Sequence, residues 1–283
     1  MLRGNPMHAV GDDGRMALSD HLRELRARLM KSALFLFVFF IVGLFFYDSA
    51  SVGSKAVGFS LLDLVLGPYQ DAVASLGNKV DSTAYISGAG GPLLLQLKLA
   101  GVAAVVFSSP YWIFQIWAFI VPGLHPQERK WTRVFAAVAG PLFIGGVAVG
   151  YYVLPKGLQV LIGFTPDALQ NLVEFGEYFS FLTRMLLVFG IGFEIPLFVV
   201  LLNLAGVVSG QALGRYRPWI IIGTAVFAAV ATPSTDPFGM LMLAIPMLIL
   251  FMIAEIIARF LDKVRGRGAH RPGQVADDEL SPL

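Results

Sequence analysis

Phe107-Ser108-Ser109-Pro110-Tyr111-Trp112-Ile113-Phe114-Gln115-Ile116-Trp117-Ala118-Phe119-Ile120-Val121-Pro122-Gly123-Leu124-His125-Pro126-Gln127-Glu128-Arg129-Lys130-Trp131 is an apolar run that ends in Pro-Gly and passes into a short charged turn. The order carries the meaning. A hydrocarbon-soluble segment delivers a carboxylate, Glu128, to a membrane surface and holds it beside aromatic rings. A site built this way recognises a cation without moving it across.

The rest of the chain agrees with a membrane setting. Of 283 residues, 56% are hydrophobic and 14% charged, against about 25% charged in a soluble domain. Long uncharged runs follow one another, which defines a polytopic all-α membrane protein. The chain has no cysteine, so disulfides, thiolate metal sites and thiol nucleophiles are excluded. Residues 1–28 are polar and longer than a usual charged n-region, so no cleaved signal peptide is expected and the first apolar run is kept as a span.

Taken in order, residues 1–18 read as a disordered cytoplasmic N-terminus. Leu22, Leu25 and Leu29 then share one helical face, an amphipathic lead-in at the membrane surface capped by Ser19 or Asp20. It continues into a first span over 29–47. Residues 48–91 form an outer loop of short surface helices, broken at Gly67-Pro68. A second span over 93–121 is longer than about 20 residues require, and Ser108-Ser109-Pro110 supplies a bend. A third span covers 134–154 and contains Gly146 and Gly150, a pair that permits close helix contact but is common by chance. A second outer loop over 155–179 leads to a fourth span over 180–208. The segment 219–231 is short of the hydrocarbon core, and 238–257 runs back after the turn at 232–237. Spans five and six are therefore a short hairpin that stops low in the outer leaflet or thins the bilayer. Residues 262–283 read as a disordered cytoplasmic tail, leaving 19–261 as a six-helix membrane domain.

All but five of the 21 Lys and Arg residues fall on one side of this layout. Lys55, Lys79 and Lys156 lie on the other side, and Lys98 and Arg184 lie within spans or at their edges. The positive-inside rule places both termini in the cytoplasm.

Three acids stand out. Glu24 and Glu128 lie at the same cytoplasmic depth, each among cations. Taken singly, each is explained by local pairing, Glu24 with Arg28 and Glu128 with Arg129 or Arg133. Taken together, they offer two acceptors to two guanidinium groups, and arginine-carboxylate forks select arginine over lysine. Glu194 lies inside an apolar span at a cost of about 2.5–3.5 kcal/mol, so it faces protein or water. It either pairs with Lys98 or a neighbouring helix, or serves as a polar contact for a partner helix or a protonatable relay; contact is favoured, because no Asp, Glu or His chain continues from it. Trp112, Trp117 and Phe119 are read first as belt aromatics. His21 and His125 have no His or Cys neighbour at ligand spacing, so no metal is expected.

The segment from Trp117 to Arg129 resembles the TatC family, the receptor of the twin-arginine protein translocase. So do His21-Leu22-Arg23-Glu24-Leu25-Arg26-Ala27-Arg28-Leu29, Phe193-Glu194-Ile195-Pro196, Arg217-Pro218, Thr232-Pro233 with Asp236, and Leu243-Ala244-Ile245-Pro246. The likeness runs in order from about residue 19 to 261. It implies six helices in a curved, cup-like wall in the bacterial cytoplasmic membrane, and binding of signal peptides that bear paired arginines on folded proteins exported with the proton motive force. It assigns Glu24 and Glu128 as the acids receiving those arginines, with Arg26, Phe119 and Leu124 nearby. It assigns Glu194 as the acid in the cup, and Pro68 and Asp236 as structural positions. It implies the partners TatA and TatB, or one TatA-like protein in both roles, with self-association in the complex, and no cofactor, enzyme activity or nucleic acid. The chain departs from the family pattern at Pro126-Gln127 before Glu128 and in a turn at 232–236 that is one residue longer than in some relatives.

Two other classes fit less well. A small-solute secondary transporter calls for inverted repeats around a midplane site, and no repeat is visible. An intramembrane enzyme calls for a catalytic constellation, and no H-E-x-x-H or G-x-S-x-G motif is present.

Overall fold

A computed structural model describes residues 18–47, 60–77, 82–124, 129–166, 169–232 and 237–265. The chain divides into two compact units, Met1–Gly190 and Ile191–Leu283.

In the first unit, α1 (Leu18–Phe45) is one unbroken helix. Its 28 residues reach ~42 Å, more than the ~30 Å hydrocarbon core, so the charged lead-in and the apolar span are one rod. The helix α3 (Gly91–Phe107) meets α4 (Ser109–Leu124) at a bend of 54°. That is the bend expected at Ser108-Ser109-Pro110, where proline lacks the N–H that would continue the ladder. α1 packs against both helices.

The helix α2 (Leu61–Leu76) corrects the outer-loop reading, since Gly67-Pro68 lies inside it and does not break it. Ser60 caps its start, with Oγ accepting from the Asp63 N–H at 3.2 Å. Pro68 cannot donate to the Leu64 carbonyl four residues earlier. The Tyr151 hydroxyl donates to that carbonyl instead, at 2.7 Å, and the Tyr178 hydroxyl donates to the next one, Val65, at 2.7 Å. Two tyrosines from distant helices thus satisfy the backbone at the proline turn and dock α2 at the same time.

The helix α5 (Arg129–Gly163) runs past Pro155, where the sequence suggested a loop. Leu154, Leu158 and Ile162 recur every fourth residue and are all buried. Burial of that stripe outweighs the roughly 3 kcal/mol that an interior proline costs. The Gly146–Gly150 pair is a true contact here. A Cβ at Gly146 would stand 2.5 Å from the Phe189 carbonyl oxygen and 3.0 Å from the Gly190 Cα, and one at Gly150 would stand 3.0 Å from the Phe189 side chain. The return approach is as close, because a Cβ at Gly190 would stand 2.7 Å from the Phe143 ring. A small two-stranded parallel sheet, not anticipated from sequence, joins β1 (Ser82–Tyr85) to β2 (Asn171–Glu174) with Ser82 opposite Asn171.

The helix α6 (Phe175–Leu204) enters the second unit at Ile191. There it is followed by α7 (Gly210–Arg215), α8 (Arg217–Ala231) and α9 (Pro237–Val264). α9 packs against α7 and α8 and passes the boundary placed at residue 261. The reason is a set of long-range bonds: the Gly210 N–H donates to Asp262 Oδ2 at 2.6 Å, Asn203 Nδ2 donates to Asp262 Oδ1 at 3.0 Å, and Arg265 Nη1 donates to the Leu204 carbonyl at 2.8 Å.

Among the described residues, four helical segments are long and apolar enough to cross a membrane: 22–45, 137–163, 175–204 and 237–264. The bent α3–α4 pair makes a fifth if it counts as one span. Six crossings were expected. The difference is α8, whose 15 residues reach only ~22 Å.

Candidate functional site

Glu24 sits on the lead-in part of α1, half-buried. Arg28, one turn on, donates to its Oε1 from Nε at 2.9 Å and from Nη2 at 2.5 Å. The local pairing expected for Glu24 is therefore present. The same guanidinium also reaches another helix, donating from Nη1 to Gln115 Oε1 on α4 at 3.1 Å. Phe35 stacks on Tyr111 with ring centroids 4.2 Å apart. Rising along α1 from 28 to 35 thus matches falling along α4 from 115 to 111, an antiparallel contact with a polar rung and an aromatic rung.

Phe119 lies one turn beyond Gln115 on α4 and is half-buried, while Arg26 is exposed on α1. Leu124 is the last residue of α4, and its side chain lies outside the described residues, as do Glu128 and Asp236. The structure therefore brings Glu24, Arg28 and Gln115 together and gives no position for the second acid. Beside this cluster, Pro110, Tyr111, Phe114, Ala137, Gly140 and Pro141 line an open groove of about 470 Å³. Its lining accepts hydrocarbon and offers no charge.

In the second unit, Glu194 is half-buried on α6 with its Oε1 closed off from solvent. Two residues before it, a Cβ at Gly192 would stand 3.2 Å from Met247 Sδ on α9, so the helices approach closely next to the acid. Pro68 is buried within α2.

A carboxylate in this unit that the sequence analysis passed over is held by two arginines. Glu255 on α9 accepts from Arg217 Nε at 2.6 Å and Nη2 at 2.9 Å, and from Arg259 Nη2 at 2.7 Å. Its side chain is 7% exposed, while the two arginines are half-exposed. The signal was legible in part: an acid inside an apolar run with arginine four residues on. Its partner Arg217, 38 residues away, was not. Arg217 grips both oxygens, the bidentate fork that fixes orientation as well as charge, and so ties α8 to α9. Glu255→Gln is expected to lower thermal stability by about 1.5–3 kcal/mol, the value of hydrogen bonds to charged groups. The check is the unfolding temperature in detergent, and no change in it would show that the fork is not a brace.

Among the described residues, four long apolar helices, or five with the bent pair, define a multi-pass helical membrane protein. Residues 20–246 match the family model for the Sec-independent protein translocase protein TatC. The chain belongs to the TatC family. It is 40% identical to the Sec-independent protein translocase protein TatC of Frankia casuarinae, over 96% of this chain and 74% of that one. It is 36% identical to the protein of the same description from Corynebacterium kroppenstedtii, over 96% and 68% of the two chains. A crystal structure of the twin arginine translocase receptor TatC superposes with a TM-score of 0.64, at 25% identity, covering 85% of this chain and 98% of that one.

Proposed function

We propose that this protein is the receptor and core subunit of a twin-arginine translocation system. It binds the paired-arginine signal peptides of folded proteins for export across the bacterial cytoplasmic membrane, powered by the proton motive force, and is itself not an enzyme. In this reading Glu24 and Glu128 take one arginine each, with Arg26, Phe119 and Leu124 around them. Glu194 receives a partner helix, and Pro68 and Asp236 support the outer side. The chain crosses six times as a curved, cup-like wall, with α8 as the short fifth crossing, α9 continuing past residue 261 to Val264, and both termini in the cytoplasm. TatA and TatB, or one TatA-like protein, complete the complex, in which the chain also self-associates.

Membership of the TatC family carries the reading, and Glu24 supports the site, since its Oε1 accepts two hydrogen bonds from the Arg28 guanidinium. The test is site-specific photo-crosslinking from position 128 in membranes. The expected product is a crosslink to a twin-arginine precursor that is lost when its arginine pair is changed to lysines. Equal crosslinking of both precursors would refute arginine selection.

A further inference from the structure

Arg28 is tied to Glu24 more firmly than helix stability requires. An i,i+4 ion pair on a solvated helix contributes about 0.3–0.5 kcal/mol and needs no third group. Here Gln115, 87 residues away, takes the remaining side of the guanidinium at 3.1 Å. Gln115 stands in the apolar run Phe114-Gln115-Ile116, where an amide is costly to bury without a partner. The arrangement fixes the position of a positive charge, and it fixes that charge on Glu24.

We propose that Arg28, steadied by Gln115, is an affinity-setting placeholder: it occupies Glu24 until an arginine of the signal peptide replaces it, and so holds the weaker-binding lysine below useful affinity. This rests on the receptor reading above. The chemistry is an exchange of one cation for another on the same oxygens. An incoming guanidinium restores the planar donors and weak hydration of the one that leaves, so the exchange is close to balanced. An ammonium is a compact, strongly hydrated point charge that presents no planar fork, so lysine-for-arginine exchange runs uphill. The placeholder lowers the affinity of every incoming cation by the same factor, so the fork on Glu24 sets the arginine-to-lysine ratio and the placeholder sets the threshold that lysine fails to reach. The bond from Nη1 to Gln115 keeps the displaced side chain at hand for return when the peptide leaves.

The experiment uses the full-length protein in detergent at fixed salt. A fluorescent synthetic signal peptide with an Arg-Arg pair and its Lys-Lys counterpart are titrated against wild type, Arg28→Gln, Gln115→Ala and Glu24→Gln. Arg28→Gln is expected to bind both peptides about tenfold more tightly than wild type, a change of about 1.4 kcal/mol, with their ratio unchanged. Gln115→Ala is expected to raise both affinities by less. Binding of either peptide that is unchanged or weaker in Arg28→Gln overturns the placeholder and leaves Arg28 as a helix brace. Glu24→Gln separates the two ideas. If it loses Arg-Arg binding while Arg28→Gln leaves both affinities unchanged, only the placeholder fails; if it keeps Arg-Arg binding, the receptor role of Glu24 fails and the placeholder falls with it.

Discussion

Glu24→Lys is expected to abolish binding of a twin-arginine signal peptide while the protein stays folded. The two effects separate because they draw on different interactions. For folding, the change removes an ion pair whose partners are 25% and 32% exposed, and such pairs contribute about 0–1 kcal/mol. For binding, it removes charge-assisted hydrogen bonds of about 1.5–3 kcal/mol and sets an ammonium against an incoming guanidinium, a like-charge contact that costs several kcal/mol more. The sum exceeds about 2.7 kcal/mol, or about a hundredfold in affinity. Peptide anisotropy and thermal unfolding of the same sample check both halves. Tight binding of the Arg-Arg peptide by the reversed protein would remove Glu24 from the site. Glu128→Lys carries the same expectation from its place in the sequence.

Gly146→Leu is expected to prevent accumulation of folded protein, and Gly146→Ala to destabilise it by about 1–3 kcal/mol, the usual cost of forcing extra atoms into a packed contact. The obstacle at Gly146 is backbone. The Phe189 carbonyl oxygen and the Gly190 Cα would lie 2.5 and 3.0 Å from a new Cβ, and neither can rotate aside. Phe143 and Phe189, on the two sides of the contact, are fully buried, so α5 and α6 cannot part without opening the core of the first unit. The control is its neighbour, since a Cβ at Gly145 meets nothing within 4 Å. Gly145→Ala is therefore expected to unfold at the wild-type temperature. Membrane yield and detergent melting curves distinguish the two positions; equal behaviour of Gly145→Ala and Gly146→Ala would show that the helices do not meet as described.

The membrane class, most helix positions and the bend at Pro110 were legible in the chain, because each depends on local properties: hydropathy over a window, a missing N–H and charge asymmetry between loops. The acid at 24 and its neighbour at 28 were legible for the same reason, since one helical turn brings them together. The Tyr151 and Tyr178 hydroxyls that rescue Pro68, the Arg217–Glu255 fork, the Gln115 anchor and the register of the two short strands were not. Each joins groups far apart in sequence, and no residue period records which partner the fold will supply.

Pro68 and Pro155 mark the division most clearly. Proline by itself announces a break, and at 110 a break is found. At 68 and 155 the helix continues, because tyrosines from other helices take the carbonyls at the first and a buried stripe of leucine and isoleucine holds the second. The chain alone determined a multi-pass helical membrane protein with a carboxylate poised among arginines. Tertiary structure decided which helices run on, which glycines are contacts and which group anchors Arg28 from another helix, since those outcomes turn on packing and hydrogen bonds between segments that only folding brings into reach.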